Sequence, residues 1–131
     1  MRQPTDRVDV GRGLEFFKVM LANIAEAAKP MIKNPVGFVC GEPDFHPTGT
    51  ATFSGEVFEI IPVKKFLIVH SQKRRTIVTL KVDFESDIYS RNNRANIDCA
   101  VHDGALAGIV TEEILSFASK CKVADPKITT L

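Results

Sequence analysis

The chain has 131 residues, 44% hydrophobic and 25% charged, with a formal net charge of +1. These proportions exclude a disordered or fibrous chain and fit one domain with a core of its own. Its longest apolar runs are a few residues, well short of the roughly 20 a membrane-crossing helix needs, and no apolar stretch follows the N-terminus as in a secretory signal.

Residues 1–12 are polar and lead into Gly11 and Gly13, so they read as a flexible lead-in. Leu14, Phe17, Leu21, Ala25 and Ala28 then fall at helical spacing, with Met20 and Ile24 widening the stripe. The spacing predicts a helix over 14–29, stopped by Pro30. Strand-like runs follow at 37–40, 50–53, 56–61, 66–70, 76–84 and 97–101. A loop over 41–49, a tight turn at Ser54-Gly55, a basic connection over 71–75 and a polar connection centred on Asn92-Asn93 separate them. Val78, Leu80, Val82 and Phe84 alternate with Ile77, Thr79, Lys81 and Asp83, the mark of an antiparallel sheet with one covered face. Asp103 is placed to cap a helix over 104–121 whose stripe is Leu106, Val110, Ile114, Phe117, Ala118 and Cys121. Residues 123–131 read as a tail.

The expected fold is a single α+β domain over 1–131. A curved antiparallel meander, partly barrel-like, occupies 37–101, with one helix before it and one after. Phe17, Leu21, Val78, Leu80, Val82, Ile97, Val101, Val110, Ile114 and Phe117 are expected in one core.

Charge is unevenly spread. Residues 63–95 carry eight Lys/Arg against three Asp/Glu, a local excess of five in a nearly neutral chain. Lys64, Lys65, Lys73, Arg74, Arg75, Lys81, Arg91 and Arg94 supply the cations, and Tyr89 is a candidate stacking face. A cation track beside aromatic rings holds single-stranded DNA or RNA, so a small non-enzymatic nucleic-acid-binding protein is the first expectation. Lys73, Arg74 and Arg75 are expected at the exposed tip of a hairpin. The wide apolar arc of the first helix and the free edges of a meander add a homo-oligomer, which repeats a modest patch. The alternative is a protein-interaction or assembly module whose basic face contributes solubility.

Chemistry has weaker support. Cys40, His46, Cys99 and His102 are the residue types of a tetrahedral zinc site, but their spacings match no finger pattern. Asp44 and His46 share a loop, and His102-Asp103 sits where a strand meets a helix, which allows a small enzyme as a third reading. The string His102-Asp103-Gly104-Ala105-Leu106-Ala107 resembles the His-Gly-Gly opening of the central helix in hot-dog thioesterases. That fold places its long strands after the helix, so the family is not carried over. No nucleophile elbow, phosphate loop or His-Glu-x-x-His is present. No catalytic residue, metal or cofactor is therefore assigned, and the sequence leans away from an enzyme. Cys40, Cys99 and Cys121 are too scattered for a disulfide framework, so a cytoplasmic protein with reduced thiols is expected.

Overall fold

A computed structural model of the chain describes residues 4–46, 50–64, 70–87, 92–121 and 126–131. Helix α1 (Pro4–Ala28) runs into a short 3-10 turn (Lys29–Met31), and six strands and a second helix follow. The strands are β1 (Val36–Cys40), β2 (Asp44–Phe45), β3 (Thr50–Lys64), β4 (His70–Asp87), β5 (Asn92–Val101) and β6 (Lys127–Thr130). A 3-10 turn (Gly104–Leu106) and helix α2 (Ala107–Cys121) separate β5 from β6. The result is one α+β domain with a helix on either side of the main sheet in sequence, as expected.

The sheet order is β1-β3-β4-β5-β6, with β2 also paired to β3. The sheet is open and not closed into a barrel, where the sequence reading expected a curved, partly barrel-like one. It is also mixed. Residues 127–130, expected as tail, form β6 and lie parallel to β5, with Ile128 opposite Cys99. The crossover through α2 permits this, because a parallel neighbour needs a long return connection.

Both helices cover one face. Phe17, Leu21, Ile24, Phe53, Val57, Val78, Leu80, Ile97, Val101, Val110 and Ile114 are all buried in one cluster. The expected core is thus found, with Phe117 half-buried at its margin and edge-on to Phe16, ring centroids 6.0 Å apart. Ile77 departs from the expected alternation. Val57 pairs with Val78 and Phe58 with Thr76, so Ile77 is an extra residue in β4, a β-bulge. Both Ile77 and Val78 are buried on the helix side, and the pleat changes face there.

Several boundaries differ from the sequence reading, among them the expected loop over 41–49, in which Asp44–Phe45 is strand β2. The lead-in over 1–12 is helical from Pro4, which suits a first turn because its missing N–H has no partner there in any helix. Gly13 lies within this helix against Phe53 and Phe84, where an added Cβ would be 3.2 Å and 3.4 Å from the two rings. Ser54-Gly55 is continuous strand rather than a turn, because Gly55 faces α1 and admits Leu21. The run over 71–75 and the pair Asn92-Asn93 are strand, in β4 and β5, rather than connections. The expected strand over 66–70 lies outside the described residues but for His70, which opens β4.

Candidate interaction surface

β1 first pairs with β3 at Val36 opposite Glu59, and β5 last pairs with β4 at Val101 opposite Val78. β3 and β4 continue together beyond both points, from Ile60 opposite Arg74 to Lys64 opposite His70. The Ile60 N–H still donates to the Pro35 carbonyl. From Ile61 onward, no third strand flanks this pair among the described residues. Five residues per strand give a two-stranded ribbon of roughly 16 Å.

The bulge at Ile77 decides what the ribbon presents. Arg75 is directed to the helix side, where its guanidinium donates to Glu59 Oε2 at 2.7–2.8 Å and to Asp103 Oδ2 at 3.4 Å. Asn34 Nδ2 donates to the other Glu59 oxygen at 2.9 Å. Asp103 also accepts from the Ala105 N–H, capping the turn that opens α2 as expected. Arg74 faces the opposite side, its guanidinium carbon 4.3 Å from the centre of the Phe58 ring, a cation–π contact. Lys73, Arg74 and Arg75 are all exposed, but they lie within β4 and not at a hairpin tip. Neighbouring residues of a strand point to opposite faces, so Arg74 and Arg75 do not form one track.

Glu59 is 7% exposed, and the Asn34 and Arg75 hydrogen bonds hold its carboxyl below the ordinary pKa of 4.5. A lowered carboxyl pKa stabilises the fold above the ordinary value, and the contribution is lost as pH falls through the lowered one. Glu59→Gln is expected to flatten the loss of stability below pH 4.5, read from denaturant midpoints at neutral and acid pH. The same pH dependence in both proteins would remove this role.

The face of the sheet away from the helices is mixed in charge. Asp44, Glu56, Asp83 and Asp98 lie on it with Arg74, Lys81 and Lys127. Lys81 stands directly across from Asp98, which offsets it as a free cation. An open groove of about 490 Å³ crosses this face, lined by Val39, Ser54, Glu56, Thr79, Lys81 and Asp98 among others. At its edge, β1 and β2 expose Phe38, Val39 and Phe45 to 43%, 42% and 55%.

The other expected site residues are dispersed or undescribed. Lys64 and Arg94 are placed by their backbone, opposite His70 and Glu85. Lys65, Tyr89 and Arg91 lie outside the described residues. His46 and His102 are apart: His46 Nε2 is 3.1 Å from Thr52 Oγ1, and His102 Nε2 is 3.4 Å from Thr79 Oγ1. Thr52 pairs with Asp83, four residues along β4 from Thr79, which separates the two by roughly 13 Å. Among the described residues no three His, Cys, Asp or Glu side chains gather where a metal could be held. Burial pushes the Cys99 thiol up to about 12, aided by the Asp98 charge, so it is an inert core group. Cys40, half-buried, is shifted up by burial against the opposing effect of Lys18.

The chain matches no known family model, no curated protein and no solved structure. No described helix is long and apolar enough to cross a membrane.

Proposed function

We propose that the protein is a non-enzymatic, homo-oligomeric assembly module working in the cytoplasm. The carrying observation is the ribbon of Ile60–Lys64 and His70–Arg74, which extends past its neighbouring strands and from Ile61 onward has no third strand beside it among the described residues. An isolated two-stranded ribbon is marginal in water, so this one gains most by lying against another surface. Exposed Phe38 and Phe45 lie on the β1–β2 edge, which no further strand joins among the described residues, and support the same reading, since edges with apolar side chains favour association. Sedimentation over a range of concentrations is expected to show species larger than the 14.5 kDa chain. A chain that stays monomeric up to about 0.1 mM would overturn the proposal.

Nucleic-acid binding is the second reading. One observation favours it: residues 60–74 contain Lys64, Lys65, Lys73 and Arg74 and no carboxylate. Arg75 is set aside because it serves Glu59, and Lys81 because Asp98 opposes it. Binding of single-stranded oligonucleotide would weaken with salt, and Lys73→Ala with Arg74→Ala would flatten that dependence, as fewer counterions are released. The expected titration shows binding at low salt and a flatter slope for the variant. No binding by the wild type, or equal slopes, would discard this reading.

A further inference from the structure

We infer that β1 pairs with β1 of a second copy, antiparallel and centred on Phe38, so that one sheet runs through both chains. The inference rests on the assembly reading and takes the β1–β2 edge as the contact. β1 keeps a regular register with β3 from Val36 to Cys40. Just outside that span the Gly41 N–H donates to the Ser54 carbonyl and the Ile60 N–H to the Pro35 carbonyl, both at 2.8 Å. Backbone groups alternate in direction along a strand, so those of Gly37 and Val39 also turn to β3. Those of Val36, Phe38 and Cys40 turn the other way, to the edge that no described strand joins. Edge strands are ordinarily guarded by a charge, a proline or a bulge, and β1 contains none of these. Phe38 and Val39 are 43% and 42% exposed on it.

A two-fold axis lets two copies exchange these backbone groups when it passes through an outward-turned residue, and Phe38 is the middle one. Phe38 then stands opposite Phe38 of the second copy, and Val36 opposite its Cys40, each pair exchanging both hydrogen bonds. Such an axis is perpendicular to the sheet, so the helices of both copies lie on one side. Phe38 is opposite Val57, which is buried beneath the helices, so the two Phe38 rings meet on that side. On the outer side Val39 stands opposite Gly37 of the second copy, a large side chain beside none. Lys33 and Glu42, both exposed, flank β1 at its two ends. Antiparallel pairing brings each Lys33 within one position of the other copy's Glu42, whereas a parallel pair in register would set like charges together. The contact is isologous and closes at two copies.

The test places charge at the centre of symmetry. Phe38→Lys and Phe38→Glu each set a charge against its own copy, and like charges directly opposite are destabilising. Circular dichroism and thermal unfolding establish that each variant folds. Each alone is expected to dimerise roughly tenfold more weakly than the wild type in sedimentation. Mixed one to one, the two are expected to recover the dimer, with lysine now opposite glutamate. Phe45→Lys and Phe45→Glu, on the same edge but away from the centre, are expected to show no such recovery. Phe38 variants that associate as strongly as the wild type, or that stay weak when mixed, would overturn the inference and leave the assembly reading in place. A monomeric wild type would overturn both. Should a Phe38 variant not fold, amide hydrogen exchange of the wild type decides. On concentrating the protein, exchange at Val36, Phe38 and Cys40 is expected to slow, while Gly37 and Val39, bonded to β3 throughout, do not change. No slowing at the first three in an associating wild type would overturn the inference alone.

Discussion

Phe53→Ala is expected to lower the unfolding free energy by about 3–5 kcal/mol, the largest single effect among the substitutions considered. Phe53 is 1% exposed on β3, and its ring centre lies 5.9 Å from that of Phe17 on α1 and 6.3 Å from that of Phe84 on β4. It therefore joins a helix to two strands, and Gly13 is small so that α1 can sit against it. Truncation leaves a cavity walled by α1 and the sheet, which relax little because both are fixed by backbone hydrogen bonding. For a domain with about 5–15 kcal/mol in total, that loss is a large share. Denaturant unfolding measures it, with an unchanged slope showing that stability alone has moved. Phe53→Leu, which keeps most of the volume, is expected to cost less. A loss below about 1 kcal/mol for alanine would mean that Phe53 is not enclosed.

The second large effect is a gain of one methyl. Gly55→Ala is expected to destabilise by about 1–3 kcal/mol, through overpacking. An added Cβ would lie 2.5 Å from Leu21 Cδ1, 2.9 Å from the Val39 carbonyl oxygen and 3.3 Å from a Phe17 ring carbon. Leu21 is fully buried and has no room to swing aside, and the Val39 carbonyl belongs to the ladder between β1 and β3. Gly108 provides the contrast. It lies in α2 with nothing within 4 Å of its own Cβ position, so Gly108→Ala is expected to stabilise by about 0.5–1 kcal/mol. Opposite signs for one chemical change would locate the closest approach of α1 to the sheet. Equal signs would refute that packing.

Gly13 and Gly55 explain part of what the sequence concealed. Gly11 and Gly13 read as punctuation, yet α1 passes through both, because Gly13 faces two aromatic rings and the packing gained outweighs helix propensity. Gly55 beside Ser54 read as a turn for the same reason. The second helix, its Asp103 cap and the alternating core of β4 and β5 were legible, since period and capping chemistry are local signals. β6 was not, because four residues of strand are recognisable from the neighbour that they join. The surface was half legible. Lys73, Arg74 and Arg75 are exposed as their charge requires, but Glu59 and Asp103, far off in sequence, decide which face Arg75 takes. The sequence does carry one sign of the bulge: Ile77 and Val78 are adjacent apolar residues in an otherwise alternating run.

That extra residue limits how the chain can vary. With Ile77 present, β4 uses one residue more than β3 between Thr76 and Val78, and Arg75 reaches Glu59. Were Ile77 instead paired in regular register opposite Phe58, each residue before it would shift by one pleat, turning Arg75 outward and Arg74 toward the helix side. Exchanging Ile77 for another apolar residue would leave both in place. In the stretch before Val78, descendants of this chain are free to change many side chains and could lose the bulged residue with Arg75 still opposite Glu59, while gaining a further residue there requires a matching change in β3.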